Sequence, residues 1–295
     1  MIYKFTPVLR PMIWGSELWV LSGYDERPTR VSGGPYDGLT LNELVALRGE
    51  ALMGSRALKR YGCEFPLLIK FIDAHDDLSI QVHPDEELAQ KRCGGHGKTE
   101  MWYIISAERD AHLFSGLKAP LTPGRYAEMV SDNSITDALA SHCVRPGDVF
   151  FIPAGRIHAI CSGIYLAEIQ QTSDITYRIY DYGRPGPDGK PRQLHTELAK
   201  DAIDYKVYPE YRSSCPVDCE YFHTDLVPVG ESLPDGAPGR EFDLSGLDTC
   251  IAFVCVEGAG AVDGTPIRAG EVALVDATAA SVRLTGRMKL LSTHV

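Results

Sequence analysis

Four polar side chains have the types and spacing that a metal site requires. Gln81 and His83 alternate along an apolar run, and alternate residues of a β-strand share one face. His158 follows the Pro-x-Gly turn at residues 153–155, which can hold an imidazole rigidly over a cavity, and Glu100 stands directly before another apolar run. Two imidazoles with a carboxylate and an amide oxygen suit a divalent transition metal, zinc first. The sequence therefore predicts a metal site inside a β-barrel.

Short apolar runs of strand length carry or flank these residues. They cover residues 66–72, 78–83, 101–105, 148–152 and 164–170. Helices are fewer: a capping box at Thr40 and Glu43 predicts a helix over about residues 40–60, and residues 193–205 are a second candidate. Residues 1–36 carry frequent Gly and Pro and are expected to be irregular. Many short strands with a few helices predict a mainly β jelly-roll fold.

The pattern changes near residue 215, where apolar segments begin to alternate with Gly-containing turns. Their rhythm resembles that around residue 147, but they lack histidines where a metal would lie. We expect residues 1–205 to form a catalytic domain with an N-terminal extension and helices. Residues 206–295 are expected to form a smaller β-barrel-like domain without metal ligands.

Composition and charge argue against several classes of function. The chain has 295 residues and a formal net charge of −11, which disfavours nucleic acid as a partner, because binding its backbone needs clustered Lys and Arg. A small phosphorylated ligand needs only two or three local cations. No long apolar stretch follows a basic start, so we expect neither a secretory signal nor a membrane span. Eight scattered cysteines are typical of reduced thiols in a cytoplasm.

Several segments together resemble a known family. The run Gly147-(x5)-Pro153-x-Gly155-x2-His158 matches the second motif of the cupin superfamily. Within the cupins, further segments are similar to type I mannose-6-phosphate isomerases, especially the short bacterial class. Their order and spacing over about residues 8–190 make the resemblance specific. These segments are residues 14–15, 78–85, 97–103 and 168–184.

The resemblance implies a cupin jelly-roll barrel and one zinc ion per chain, held by Gln81, His83, Glu100 and His158. It also implies reversible conversion of mannose 6-phosphate to fructose 6-phosphate through an enediol or enediolate. The partner would then be a small sugar phosphate, with no nucleic acid or membrane involved. The expected state is a monomer or a homodimer in the cytoplasm.

The same resemblance implies roles for further residues. Arg178 and Lys98 match the active-site arginine and the motif lysine, and both are suited to stabilising negative charge on oxygen. Glu168 and Asp174 fall at the family's spacings from that arginine. Either carboxylate, or a zinc-bound water, would transfer the proton. Positions that the family places near the phosphate are matched by Lys70 and Ser79, with Arg184 where longer relatives carry lysine.

One position departs from the family pattern and leaves alternatives open. Longer relatives have histidine directly before the motif lysine, whereas this chain has Gly97. If that histidine transfers protons in the relatives, this chain must use another group or a water. One alternative is a cupin enzyme that acts on a different sugar with iron or manganese. Gln81 favours a closed, redox-silent ligand set over such an open iron site. The other is a non-catalytic sugar-binding or regulatory cupin, against which Lys98 and Arg178 argue.

Two further patterns concern loops and cysteines. Segment 183–191 is rich in Gly and Pro, and we expect a loop there that is a candidate lid over the phosphate. Cys215, Cys219 and His223 have a spacing that suggests a second metal. No tight ligand pair follows them, which favours unpaired thiols.

Overall fold

The computed structural model describes residues 1–186, 189–230 and 239–295, and the chain forms two compact units. Unit 1 consists of Met1–Val8, Leu18–Lys70 and Cys215–Val295, and unit 2 of Leu9–Glu17 and Phe71–Ser214. The boundary predicted at residues 205 and 206 does not coincide with this division, because N-terminal segments belong to the same unit as the C-terminal strands. Two residues of the candidate lid, Pro187 and Asp188, lie outside the described residues.

Short strands dominate the described residues, as the sequence predicts. The strands are β1 (Ile2–Thr6), β2 (Val8–Met12), β3 (Gly15–Ser22), β4 (Arg30–Val31), β5 (Leu67–Ala74), β6 (Ile80–Val82), β7 (Glu100–Ala107), β8 (His112–Leu117), β9 (Leu139–Cys143), β10 (Val149–Ile152), β11 (His158–Ile160), β12 (Ile164–Gln171), β13 (Tyr177–Tyr180), β14 (Arg212–Ser213), β15 (Val217–Asp218), β16 (His223–Val229), β17 (Gly239–Asp243), β18 (Ile251–Val262), β19 (Thr265–Arg268), β20 (Val272–Val275) and β21 (Ser281–His294). The helices are α1 (Leu41–Arg48), α2 (Glu50–Met53), α3 (Ser55–Tyr61), α4 (Glu86–Cys93), α5 (Pro123–Ser131) and α6 (Thr196–Ala202), with 3-10 turns at Gly34–Tyr36 and Ile135–Ala138. Within those residues, no helix has the length and apolar character needed to cross a membrane.

The sheet of unit 1 combines N-terminal and C-terminal strands. It runs in the order β15-β16-β21-β18-β20-β1-β4, with β17 beside β21 and β19 beside β18. β1 is antiparallel to β20, so that Ile2 is opposite Val275 and Lys4 is opposite Ala273. The expectation that residues 1–36 are irregular is therefore wrong. Their strand partners include residues near the other end of the sequence, which a local pattern does not reveal.

Glycines divide the helix predicted after residue 40 into α1, α2 and α3. The capping box is confirmed: the Thr40 hydroxyl accepts from the Glu43 N–H, and the Glu43 carboxylate accepts from the Thr40 N–H. The chain then turns at Gly49 and Gly54, whose φ angles are +49° and +77°. A Cβ on Gly54 would lie 2.2 Å from the carbonyl oxygen of Asp248. This close approach and the positive φ both require glycine at that turn.

Two antiparallel sheets face each other in unit 2 and share an apolar core. One has the order β14-β10-β7-β12-β5-β3-β2, in which β3 and β5 also contribute residues to unit 1. The other has the order β13-β6-β11-β8-β9. Trp102, Ile104 and Phe150 of the first sheet form one cluster with Leu113 and Ile160 of the second. Neither sheet closes on itself among the described residues, and the paired sheets confirm the mainly β, jelly-roll fold class.

Helices α5 and α6 cover the outer face of the second sheet. Val82 and Tyr177 from β6 and β13 pack in one cluster with Tyr126 of α5 and Ala199 of α6. Because strand residues alternate between faces, their neighbours along the same strands point inward, toward the other sheet. Because the helices cover one face of β6 and β13, the opposite face is the one available for a site between the two sheets.

Candidate metal centre

Neighbouring strands of the helix-covered sheet carry a row of polar residues. Gln81 on β6 is opposite His158 on β11 on one side and opposite Arg178 on β13 on the other. Ser115 on β8 continues the row beyond His158. Directly opposed residues of antiparallel strands point to the same face. Since Val82 of β6 packs toward the helices, this row faces the interior of unit 2.

The facing sheet supplies a second polar row. Glu100 and Trp102 share one face of β7, and they are opposite Gln170 and Glu168 on β12. Glu100 and Gln170 have no exposed surface, and Glu168 is 2% exposed. The two rows therefore bring ionisable side chains together in a place from which water is largely excluded.

The imidazoles of His83 and His158 converge on the Glu100 carboxylate. His83 Nε2 lies 3.6 Å from Oε2, and His158 Nε2 lies 3.5 Å from Oε1. The candidate ligand atoms of the three buried side chains lie within 4.8 Å of one another. Elsewhere in the described ranges, no other group of His, Cys, Asp and Glu comes close enough to hold a metal ion. The cysteine spacing near residue 215 therefore does not correspond to a second site of this kind.

Backbone carbonyls orient both imidazoles. His83 Nδ1 donates to the Ile175 oxygen at 2.9 Å, and His158 Nδ1 donates to the Arg156 oxygen at 2.8 Å. Each neutral ring therefore turns the lone pair of Nε2 toward Glu100, which is the orientation found in metal-binding histidines. Burial lowers the pKa of His158 to about 3, so this ring is neutral at pH 7. The donor atoms and their orientation fit a divalent metal ion.

Gln81 and Lys98 border the same space. The Gln81 amide nitrogen lies 3.3 Å from His158 Nε2. Lys98 Nζ lies 2.6 Å from Glu100 Oε2 and donates to His83 Nε2 at 3.1 Å. The structure thus brings the residues predicted as metal ligands into one place, together with the motif lysine.

Glu168 adjoins this group through Trp102 and Lys98. Trp102 Nε1 donates to Glu168 Oε2 at 3.0 Å, and Lys98 Nζ lies 3.6 Å from Glu168 Oε1. The Trp102 ring also meets the His158 ring edge-on, with 5.3 Å between centroids. Trp102 is not among the residues for which the sequence predicts a role, and these contacts are seen only in the structure. Trp102 lies two residues after Glu100 on one strand, and this spacing predicts that both side chains point to the same face.

Asp174 and Arg178 have partners other than each other. The Asp174 carboxylate lies 3.9 Å from Arg10 Nη1, and its side chain is 37% exposed. Arg178 donates through Nη1 to the Gln193 carbonyl oxygen at 3.1 Å. Burial lowers the pKa of Arg178, and the charge of Arg192 adds to the effect, but a guanidinium remains protonated in proteins.

The residues predicted to bind phosphate have different surroundings. Ser79 is buried directly before β6. Arg184 forms an ion pair with Asp76 at 3.1 Å. Lys70 belongs to unit 1, where its ammonium lies 5.9 Å from the centroid of the Trp19 ring. Their role toward a phosphate stays a prediction.

Packing explains the glycine at position 97. A Cβ there would lie 2.6 Å from the Glu86 nitrogen and 2.7 Å from the Asp85 carbonyl carbon, at the start of α4. The Gly97 N–H donates to Glu86 Oε2 at 2.9 Å, and His96 Nδ1 is 2.8 Å from Oε1. Burial by itself raises the pKa of Glu86, but hydrogen bonds from His96 and Gly97 lower it below its usual value. A histidine at position 97 is therefore incompatible with this packing.

Ser115 is a second residue that the sequence interpretation missed. Its hydroxyl is buried beside His158 and has no hydrogen-bond partner in the part of the chain that the structure describes. A single serine within an apolar strand carries no motif. Only its register with His158 reveals that it lies in the polar row.

The family model for the phosphomannose isomerase type I catalytic domain matches residues 8–110. That range contains His83, Lys98 and Glu100. Among curated proteins, the mannose-6-phosphate isomerase ManA of Bacillus subtilis is 37% identical over 223 residues, which cover 70% of this chain and 69% of that protein. The mannose-6-phosphate isomerase of Streptococcus mutans is 38% identical over 187 residues, which cover 63% of this chain and 57% of that protein.

Solved structures show the same similarity at the level of the fold. The mannose 6-phosphate isomerase from Bacillus subtilis superposes with a TM-score of 0.87 at 28% sequence identity, covering 100% of this chain and 99% of that chain. A putative mannosephosphate isomerase from Archaeoglobus fulgidus gives a TM-score of 0.81 at 21% identity, with 99% of this chain and 96% of that chain covered. The second comparison supports the fold alone.

Replacing Gly97 by histidine should destabilise the protein. The new Cβ would push against the backbone at the start of α4, and overpacking of this kind costs about 1–3 kcal/mol of the free energy of unfolding. Urea unfolding of Gly97→His measures this cost. Gly124→Ala on α5 is the matched control, since a Cβ there has no neighbour within 4 Å. Equal stability of Gly97→His and the unmodified protein would contradict the packing explanation.

Replacing His158 by alanine should abolish stoichiometric metal binding. Loss of even an outer partner of a ligand weakens metal affinity about 10- to 100-fold, and loss of the ligand itself should weaken it more. Metal analysis after dialysis and the change in Tm on adding chelator both measure the effect. His112→Ala, on β8 and half-buried, is the control and should keep the metal. Full metal content in His158→Ala would exclude His158 as a ligand.

Proposed function

Because the chain belongs to the type I mannose-6-phosphate isomerase family, we propose that it interconverts mannose 6-phosphate and fructose 6-phosphate. The observation that carries the proposal is the buried group of His83, Glu100 and His158, oriented as metal ligands. A monomer or homodimer in the cytoplasm is the expected setting. The substrate is a small sugar phosphate.

The reaction moves a proton between adjacent carbon atoms. Its barrier lies in removing a carbon-bound proton and in the negative charge that then grows on the neighbouring oxygens. A catalyst therefore needs a base on one side of the substrate and positive charge near those oxygens. Hydrogen moves within one molecule, so the reaction needs no redox-active metal.

His83, Glu100 and His158 would hold the metal ion. Gln81 would be a fourth ligand through its amide oxygen once the amide is turned over, since its nitrogen is the atom that lies 3.3 Å from His158 Nε2. We assign zinc, because two imidazoles, one carboxylate and one amide make a closed set suited to a redox-silent ion. When bound, zinc supplies Lewis-acid polarisation of the substrate oxygens. The carbonyls of Ile175 and Arg156 keep both imidazole Nε2 atoms directed at this place.

Lys98 and Arg178 supply the remaining positive charge. Lys98 Nζ lies within 4 Å of Glu100 and of Glu168, at 2.6 Å and 3.6 Å. Arg178 is next to Gln81 in the row across β13 and β6, so its side chain leaves the strand on the same face. In a site with little water, two such cations stabilise a growing oxyanion by several kcal/mol.

Glu168 is the favoured carboxylate for proton transfer. It is buried, it lies on the same face as Glu100, and Trp102 holds one of its oxygens. Asp174 has a side chain that is 37% exposed and lies near Arg10. A base must be held within reach of the substrate carbon. This requirement favours Glu168, which is fixed in the interior, over Asp174, which is partly exposed.

Lys70, Ser79 and Arg184 remain the candidates for the phosphate. A phosphate remote from the reacting carbons adds binding energy that orients the substrate. For Arg184, the phosphate would take the place of the exposed Asp76 carboxylate, because both anions suit the same guanidinium edge. Only the Asp76 side of this pair is largely exposed, at 58% against 17% for Arg184, and Asp181 would keep its hold on Arg184 Nη2 at 2.8 Å.

Metal analysis combined with an isomerase assay tests the proposed function. We expect about one zinc per chain, as the one ligand group found among the described residues requires, and formation of fructose 6-phosphate that chelator abolishes and zinc restores. Iron and manganese serve as alternative ions in the same reconstitution. Metal without turnover would point to another sugar or to a binding role. Absence of any bound metal would overturn the proposal at its first step.

Comparing two variants identifies the base. Glu168→Gln keeps the shape and the acceptor oxygen for Trp102 but removes the basic group, and it should lower kcat about 10²- to 10⁴-fold. Asp174→Asn is the matched change at the other carboxylate and should have a much smaller effect. Both variants are assayed for kcat and KM with mannose 6-phosphate. A larger fall in kcat for Asp174→Asn would assign the base to Asp174 instead.

A further inference from the structure

A segment after β13 folds back onto Arg178, and we call its residues 192–195 the strap. The Gln193 carbonyl oxygen accepts a hydrogen bond from Arg178 Nη1 at 3.1 Å. The backbone N–H of Arg178 donates to His195 Nδ1 at 3.0 Å, and the backbone N–H of His195 donates to the Arg178 oxygen at 2.7 Å. These hydrogen bonds connect the strap to both the backbone and the guanidinium of one arginine.

An ion pair fixes the other end of the strap. Arg192 bonds both carboxylate oxygens of Asp181, with Nε at 2.7 Å and Nη2 at 2.6 Å. Asp181 directly follows β13 and is 4% exposed. Burial by itself raises the pKa of Asp181, but Arg192 and Arg184 lower it below its usual value, so the carboxylate is charged at pH 7. A bidentate pair of this kind fixes orientation as well as distance.

His195 acts as an acceptor, which determines its protonation state. Because Nδ1 accepts the N–H of Arg178, the ring is neutral and carries its proton on Nε2. Burial and the positive charge of Arg178 lower the pKa of His195, which keeps this form at pH 7. Helix α6 begins at the next residue and buries Ala199 in the core, so regular structure holds the histidine in place.

We propose that His195 is a positioning residue for Arg178, and that Arg192 and Asp181 anchor the strap that carries it. This inference rests on the proposed function, in which Arg178 stabilises charge as the proton moves. The register opposite Gln81 determines only the direction in which the Arg178 side chain leaves β13. The strap determines where the guanidinium lies beyond that point.

The strap matters because an arginine side chain is long and flexible. Restricting its rotamers costs conformational entropy, and a group that stabilises a transition state must already be in place when charge develops. A misplacement of about 1 Å can cost about 10²-fold in rate. A strap defect should therefore lower kcat far more than it raises KM.

Two substitutions at position 195 separate positioning from packing. His195→Phe keeps a ring of similar size but removes the acceptor, whereas His195→Asn keeps an acceptor oxygen near the place of Nδ1. We expect His195→Phe to lower kcat about 10- to 100-fold with little change in KM, and His195→Asn to recover most of the loss. Metal content and Tm are measured alongside, because a merely structural role would change these and leave kcat per folded molecule intact. His112→Phe is the matched control and should behave as the unmodified protein.

Hydrogen exchange gives a readout that does not depend on activity. The Arg178 amide should exchange faster in His195→Phe and stay protected in His195→Asn. Unchanged kcat in His195→Phe would overturn the proposal, and so would an Asn variant as impaired as the Phe variant. If the unmodified protein does not isomerise mannose 6-phosphate, the proposed function fails, and the exchange rates alone decide whether the strap holds Arg178.

If His195→Phe does not fold, a substitution at the other end of the strap tests the proposal. Arg192→Lys keeps the charge but cannot bond both oxygens of Asp181. We expect kcat to fall about 3- to 10-fold and KM to stay nearly unchanged. This loss is smaller than the one expected when Arg178 itself is misplaced by about 1 Å. Arg125→Lys, in an exposed pair with Glu128, is the matched control. Full kcat in Arg192→Lys would contradict the anchoring role.

Discussion

The buried carboxylate of Glu100 is the constraint on which the interior of unit 2 depends. Glu100 has no exposed surface, and a charge taken out of water costs several kcal/mol unless other groups compensate for it. Lys98 Nζ lies 2.6 Å away and supplies a positive charge, whereas the imidazoles of His83 and His158, at 3.6 Å and 3.5 Å, turn their Nε2 lone pairs toward the carboxylate and supply none. The same need for compensation makes the place suitable for a divalent cation. Loss of Lys98 would remove the positive charge that compensates the carboxylate.

Strand register is how the fold satisfies that constraint. Gln81, His158 and Arg178 lie side by side on three strands, and Glu100 lies on the sheet that faces them. Side chains alternate along a strand, so a slip of one residue in β6 would turn Gln81 toward α5 and α6 and bring Val82 inward. The apolar cluster under these helices opposes such a slip, because it would have to accept an amide. Packing of the outer face against the helices therefore keeps Gln81 on the inner face of β6, beside the other candidate metal ligands.

The sequence was informative where the signal is local. The alternation of Gln81 and His83 and the turn before His158 follow from strand geometry and turn chemistry, and the structure brings these residues together. Contacts between distant segments could not be predicted this way. β1 needs a partner from the C-terminal region, and Trp102 gains its role only when β12 places Glu168 opposite it. His195 is likewise unremarkable in sequence, since its importance comes from a hydrogen bond to a residue on another element.

The central place of β21 in the sheet of unit 1 has a consequence for synthesis of the chain. Residues 281–294 pair with β16, β17 and β18, so these strands have an open edge until the ribosome has made that segment. All residues of unit 2 precede it in the chain. The unit that carries the metal ligands is thus fully synthesised while the sheet of unit 1 still lacks its centre. During that interval the exposed edges of β16 and β18 are the places where a nascent chain is open to non-native strand pairing and to capture by chaperones.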